Sequence, residues 1–275
     1  MIKDYDGPNL EQIQDENPEI YSKAKKFDSD GYVIVNLKNF KSCNLKIIED
    51  INSIVSEDKF KKNPNYYHYN ESPRIIEAWK KSESIKSLAL NDEILSMLEI
   101  FYQAKPIPFS TINFLRGTEQ PLHSDYIHFG SNPELFLVGV WVALEDISID
   151  SGPLSVVKGS HKTPIVSYQD LGFKSIPKTT KKIKEMYSAY EEYLKSYIKQ
   201  SKLEVKTPLL KAGDALFWQA NLFHGAGRIN NKSLTRYSQV THYHFEGCKS
   251  FYNPSFSNRN ENKFVERDVM ASIIT

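Results

Sequence analysis

Cysteine is nearly absent from this chain: the 275 residues hold two, Cys43 and Cys248, far apart in sequence. Two such thiols exclude a disulfide framework, and neither sits in a C-x-x-C pair of the kind that binds zinc. Free thiols in a reducing cytoplasm are the expectation. Long apolar runs are missing as well. The longest, LFLVGVWVAL at 135–144, falls well short of the roughly 20 residues a membrane helix needs. The opening stretch, MIKDYDGPNLEQIQDENPEI, lacks the basic start and apolar core of a signal peptide. Neither sign of charge dominates, with 35 basic residues against 34 acidic ones and a net charge of +1. With no basic stripe interleaved with aromatics, neither nucleic acid nor an anionic membrane is expected as a partner. No internal repeat, low-complexity tract or linker divides the chain, so 1–275 reads as one domain. Composition assigns no oligomeric state.

What is present is ordinary in bulk and informative in detail. Hydrophobic residues make up 40% and charged residues 25%, as in a globular protein, and the length is ample for a sizeable core. Residues 1–20 have few apolar anchors and read as a loosely held arm. EIYSKAKKFDSDGYVIVNLKNF then predicts a short helix, a turn at Gly31 and a strand at Tyr32–Val35. Leu45, Ile47, Ile48, Ile51, Ile54 and Val55 recur at helical spacing over 44–57. Residues 77–103 predict two helices, with Asn91 capping the second. After Pro106 the texture changes to short β-branched and aromatic segments, among them FSTINFLRG, LFLVGVWVALED, DALFWQA and TRYSQVTHYHF. Gly, Pro, Asp and Ser separate them, the pattern of an all-β sandwich or barrel. One helix interrupts the series: Ile183, Tyr187, Tyr190, Leu194, Tyr197 and Ile198 mark a tyrosine-rich face within 179–200. The expected architecture is mainly β with flanking helices. A helical part over about 1–105 lies on a β core over about 106–250, with a helical insert at about 165–205.

QPLHSDYIHF, residues 120–129, places His123, Asp125 and His128 within six positions. On a strand, side chains two apart share a face, so His123 and Asp125 present a nitrogen and an anionic oxygen together, a mixture that suits a borderline divalent metal. An isolated H-x-D reads more simply as two hydrogen-bonded polar residues at a strand end. A second segment adds to it. In AGDALFWQANLFHGAGRINNKSLTRYSQVTHY (212–243), a hairpin turning over 226–233 sets His224 opposite residue 235, beside Arg236. A metal ligand near a guanidinium makes a pocket for a small carboxylate that also binds the metal. His123, Asp125 and His224 form a 2-His-1-carboxylate set, the mark of non-haem Fe(II) oxygenases. Three protein ligands on one face leave room for a bidentate keto acid and for O₂.

These motifs, in this order, resemble the phytanoyl-CoA dioxygenase (PhyH-like) family of Fe(II)/2-oxoglutarate oxygenases. FDSDGYVIV (27–35) resembles the family's entry, and VWVALEDISIDSGPLSVVKGSHK (140–162) its most recognisable stretch. The resemblance implies a double-stranded β-helix, a jelly-roll relative of the cupins. It implies Fe(II) on His123, Asp125 and His224, with 2-oxoglutarate as co-substrate and Arg236 on its distal carboxylate. It places Trp141 and Gln120 in the co-substrate pocket. Where some members carry a co-substrate-binding Ser, this chain has Ala226, and Ser238 is the candidate substitute. Family halogenases replace the acid of H-x-D with a small residue. Asp125 is intact, so the resemblance points to hydroxylation or a related oxidation, with O₂ consumed and succinate and CO₂ released; a small-molecule or glycan-pathway metabolite is the substrate class the resemblance suggests.

The other histidines read more plainly. His128 differs in strand parity from Asp125 and is expected to face away. His161 is a substrate contact or a loop-stabilising residue. His242 and His244 share a parity with Arg236; either is a rival for the third ligand, but they lack the preceding strand that faces H-x-D and are assigned to core or rim. The tyrosines of 187–197 read as a packing face, with a cover over the barrel mouth as the functional alternative. Two other functions share the ligands: a metal-stabilised cupin-like binding protein without redox chemistry, and a zinc hydrolase, for which no general base is evident beside the site.

Overall fold

The computed structural model describes residues 10–38, 40, 44–57, 66–69, 72–174 and 179–252. Cys43 and residues 1–9 lie outside them. The expected loose arm is partly a helix, α1 (Leu10–Glu16), anchored by Ile13 at 4% exposure. Helix α2 (Pro18–Asp30) begins where the Asn17 side chain accepts from the Ile20 N–H at 3.2 Å. Pro18 at its start costs no hydrogen bond, and the helix ends at Gly31, in the left-handed region at φ 82°. Strand β1 (Tyr32–Asn36) follows, then α3 (Asn44–Ser56), with Ile47, Ile51 and Ile54 buried. Leu45, expected on that face, is 68% exposed. Strands β2 (Tyr66–Tyr69) and β3 (Ser72–Ile76) interrupt the part expected to be helical. Helices α4 (Glu83–Ala89) and α5 (Asp92–Tyr102) are capped by Ser82 and, as expected, by Asn91.

The remaining elements are β4 (Pro106–Phe114), β5 (Phe129–Asn132), β6 (Leu137–Ala143), β7 (Leu154–Val157), α6 (Thr180–Ser201), β8 (Val205–Lys206), β9 (Asp214–Gln219), β10 (His224–Ala226), β11 (Ser238–Phe245) and β12 (Lys249–Tyr252). They form the expected double-stranded β-helix. The major sheet has the order β1-β9-β6-β11-β4-β3-β2, and the second layer comprises β10-β7-β8 and the pair β12-β5. All pairings are antiparallel.

Strand β6 is buried along its whole length, so polarity does not alternate along it, yet its two faces differ. Val138, Val140 and Val142 join Phe217, Tyr243 and Phe245 in a core with Phe27, Ile51, Ile85 and Leu98 of the helices. Trp141 and Ala143 point the other way, with Leu216, Trp218 and Val240, toward the second layer. The helices thus seal one face of the major sheet and leave the other to line a cavity. Helix α6 closes the far side. Its Met186, Tyr190 and Leu194 pack on Val157, Tyr168 and Phe223, whereas Ile183, expected on that face, is 37% exposed.

Candidate metal centre and its pocket

His123, Asp125 and His224 come together, but not by the route expected from strand alternation. His123 pairs with His224 through an isolated β-bridge, donating to its carbonyl at 2.9 Å and accepting from its amide at 2.8 Å. Asp125 is not on that bridge; it opens a 3₁₀ turn, Asp125–Ile127. The hairpin expected between His224 and Arg236 does not form. Strand β10 pairs with β7 in the second layer, His224 opposite Val156, while β11 lies between β4 and β6 in the major sheet. The chain after Ala226 crosses from one layer to the other: the Gly227 amide donates to Pro153 O at 2.7 Å and the Arg236 amide to Leu115 O at 2.7 Å. His224 and Arg236 therefore line one cavity from different layers. The residue after His224 must be glycine, because a Cβ on Gly225 would lie 2.7 Å from Gln120 O, in the backbone that carries His123.

The ligand atoms of the three side chains all lie within 4.8 Å of one another. Asp125 Oδ1 is 3.6 Å from His224 Nε2 and 4.0 Å from His123 Nε2. Each imidazole has its other nitrogen against a carbonyl, His123 Nδ1 to Pro121 O at 2.9 Å and His224 Nδ1 to Leu222 O at 3.0 Å. A carbonyl only accepts, so both Nδ1 atoms carry the proton and both Nε2 lone pairs face inward, as metal-binding histidines require. Burial lowers the pKa of both imidazoles, and at His123 the neighbouring His224 adds to the effect. Burial alone would raise the pKa of Asp125, but the imidazoles of His224 and His242 outweigh it and hold the carboxyl well below the usual carboxylate range. Neutral nitrogens and an ionised oxygen are the donor set a divalent ion takes. Gln120 Nε2 sits 3.2 Å from His123 Nε2, on the inward lone pair.

Arg236 is 2% exposed. Its Nη1 donates to Gly152 O at 2.9 Å, and its guanidinium lies 5.5 Å from the Phe114 ring centroid and 5.8 Å from that of Trp141. Its Nε is buried with no hydrogen-bond partner. A cation held dry beside aromatic faces, with a donor still to satisfy, fits an incoming carboxylate. Trp141 and Ala226 line the cavity as well. Ser238 is not among the lining residues, and its hydroxyl donates to Arg236 O at 3.3 Å.

The cavity measures about 740 Å³. Ile112, Phe114, Leu154 and Val240 line it near Arg236, and Lys184, Tyr187, Ser188 and Glu191 of α6 line it on the other side. The family model described as phytanoyl-CoA dioxygenase (PhyH) matches residues 48–237.

The chain belongs to the PhyH family.

Among curated relatives, peroxisomal phytanoyl-CoA dioxygenase of Rattus norvegicus is 28% identical over 138 residues, 49% of this chain and 36% of that protein. The Bos taurus enzyme is 22% identical over 240 residues, 85% of this chain and 64% of that protein. The chain thus spans between about a third and two thirds of their length. Among solved structures, the non-heme alpha ketoglutarate dependent epimerase SnoN from nogalamycin biosynthesis superposes with a TM-score of 0.66 at 18% identity, over 93% of this chain and 94% of that one. EctD from S. alaskensis, solved with 2-oxoglutarate and 5-hydroxyectoine, gives 0.60 at 16% identity, over 82% of this chain and 75% of that one. At these identities the likeness establishes the fold.

Within this PhyH-family pocket, four residues were misplaced or missed by sequence reasoning. His128 lines the cavity instead of facing away. In a 3₁₀ turn the third residue onward eclipses the first, so strand parity does not apply after Asp125. Its Nδ1 lies 3.1 Å from the Tyr187 hydroxyl, and burial pushes its pKa down to about 4. His242, assigned to core or rim, lies 3.2 Å from Asp125 through Nε2. Trp218 donates to Asp125 Oδ2 at 2.6 Å; it stands in the sequence as the Trp of a G-D-x-L-x-W pattern at 213–218, with no role assigned to it. Arg74, on a strand that was not expected, places its guanidinium 5.5 Å from the Phe114 centroid. His161, by contrast, is a loop-stabilising residue, hydrogen-bonded through Nε2 to Asp28 O at 2.9 Å.

Proposed function

We propose that the protein is an Fe(II)- and 2-oxoglutarate-dependent dioxygenase that hydroxylates a C–H bond of a small-molecule or glycan-pathway metabolite. The observation that carries this reading is the convergence of two inward Nε2 lone pairs and one carboxylate oxygen within 4.8 Å, in the cavity that also holds the Arg236 guanidinium. His123, Asp125 and His224 would hold the iron, and Arg236 the distal carboxylate of the keto acid. When bound, Fe(II), 2-oxoglutarate and O₂ supply an oxidant for a C–H bond, and 2-oxoglutarate leaves as succinate and CO₂. The chain's own part is orientation and exclusion of water. Pro121 O and Leu222 O hold the imidazole tautomers, Trp141 and Phe114 flank the guanidinium, and Gln120 must yield His123 Nε2 to the metal. Lys184, Tyr187, Ser188 and Glu191 give the substrate side of the cavity a polar wall that suits a polar organic molecule. The reading takes 1–275 as a single domain working in a reducing cytoplasm. Among the described residues Cys248 is free, and no helix is long and apolar enough to cross a membrane.

The test is spectroscopic. Fe(II) with 2-oxoglutarate under anaerobic conditions gives a weak visible charge-transfer band, which Asp125→Ala and His224→Ala abolish. A band that survives both substitutions overturns the ligand assignment. Absence of succinate release under every aerobic condition would favour the non-redox binding protein.

A further inference from the structure

The two oxygens of Asp125 have different surroundings. Oδ1 faces the imidazoles of His224 and His123, at 3.6 and 4.0 Å. Oδ2 accepts from Trp218 Nε1–H at 2.6 Å and lies 3.2 Å from His242 Nε2. An indole N–H only donates. His242 completes the pair by presenting Nε2–H, which leaves its Nδ1 bare, and that atom is buried with no hydrogen-bond partner. Neither group can turn away. His242 is 3% exposed and boxed by Phe129, Phe109 and Trp218, at centroid distances of 5.1, 6.1 and 6.4 Å. Trp218 is 1% exposed, with its indole 4.4 Å from the His224 ring centroid.

The major sheet sets this arrangement in one rung. Gly139 on β6 is in register with Trp218 on β9 to one side and with His242 on β11 to the other. The glycine is required by close approach, since a Cβ there would lie 2.3 Å from Trp218 Cε2 and 2.5 Å from its Nε1. The indole leans over the glycine, and that lean carries its N–H to Oδ2.

We propose that Trp218 and His242, set on either side of Gly139, form a two-donor clamp that reserves Asp125 Oδ2 and makes Asp125 a one-oxygen ligand. The inference rests on the metal-centre reading above. Its consequence is coordinative. A free carboxylate can turn and chelate through both oxygens, which takes a position that the keto acid needs. The clamp therefore protects co-substrate binding more than metal binding. Both are positioning residues, since they act through Asp125 and not on substrate.

Co(II) serves as a redox-inert probe in the anaerobic protein, with two constants measured by titration: Co(II) on the apoprotein, and 2-oxoglutarate on the Co(II) protein. For Trp218→Phe and His242→Phe, Co(II) affinity stays within a few-fold, while 2-oxoglutarate affinity falls about ten-fold or more, the size of one hydrogen bond to a charged group. His242→Gln, which keeps an N–H donor, recovers most of the loss. The Co(II) d–d bands of the Phe variants without 2-oxoglutarate shift toward higher coordination. Gly139→Ala, which displaces the indole without touching either donor, gives the same split. If Trp218→Phe fails to fold, His242→Phe and Gly139→Ala carry the test. Wild-type 2-oxoglutarate affinity in the folded Phe variants, or equal losses of Co(II) and 2-oxoglutarate, overturns the clamp. Failure of the wild-type protein to bind Co(II) at all would instead overturn the metal-centre reading.

Discussion

Replacing Arg236 with Met should separate stability from co-substrate binding. The guanidinium is 2% exposed and makes one hydrogen bond, to Gly152 O at 2.9 Å. Burial, reinforced by the charge of Arg74, pushes its pKa down to about 10. A base whose folded pKa is depressed destabilises the fold at every pH below that value, so the cost is fully present at neutral pH. A depression of this size corresponds to about 3 kcal/mol. Met has similar length and no charge, so the substitution relieves that cost. Against it stand the lost bond to Gly152 O, about 1.5–3 kcal/mol, and the contacts with Phe114 and Trp141, about 0.5–2 kcal/mol. The terms nearly cancel, and Arg236→Met should unfold in urea within about 2 kcal/mol of wild type. Binding has no such compensation. Loss of the charged partner of a buried carboxylate costs about 2–5 kcal/mol, a fall in 2-oxoglutarate affinity of about 30-fold to a few thousand-fold. The assay is urea unfolding of the anaerobic Mn(II) protein with and without 2-oxoglutarate. At a hundred times its Kd the keto acid stabilises wild type by about 2.7 kcal/mol, and in Arg236→Met at the same concentration that increment should fall below about 0.9 kcal/mol. A variant that keeps the full increment would show that the carboxylate binds elsewhere. A ligand-free loss well beyond 4 kcal/mol would show that Arg236 is a structural cation and that the argument from burial is mistaken.

Other outcomes follow from single contacts. The Tyr190 hydroxyl of α6 accepts from the amide of Ser124, between two of the candidate ligands, at 3.0 Å. Tyr190→Phe leaves that buried N–H unpaired and should cost about 1–3 kcal/mol in urea unfolding; an unchanged midpoint would mean another acceptor takes its place. Acid should begin to destabilise the fold through its buried histidines. Burial holds His128 at about 4, whereas in the unfolded chain it titrates near 6.5. As pH falls from about 6.5 to about 4, the unfolded chain takes up a proton that the folded one refuses, and up to about 3 kcal/mol is lost through this group. His123 and His224, also lowered, act in the same direction. Unfolding free energies measured from pH 7.5 to 4.5 check this, with His128→Phe giving a shallower slope; a flat wild-type profile would contradict it.

Local signals in the sequence were enough for most helices and the longer strands, though not for β2 and β3, and for naming the candidate donors. Helical spacing marked Ile47, Ile51 and Ile54, short β-branched runs marked β4, β6, β9 and β11, and the Asn91 cap was readable because capping is decided within three residues. The H-x-D pair, the distant His224 and Arg236 were legible because metal and carboxylate chemistry restricts which residue types can serve. Tertiary structure decided what faces what. His224 pairs with β7 and not with the strand after Arg236, because its chain crosses between layers instead of turning back. His128 turns inward because Asp125 begins a 3₁₀ turn. The two donors on Asp125 Oδ2 come from β9 and β11, strands that never pair with each other, and β6 between them supplies a residue with no side chain. Such neighbours are set by sheet order and register, which join residues far apart along the chain.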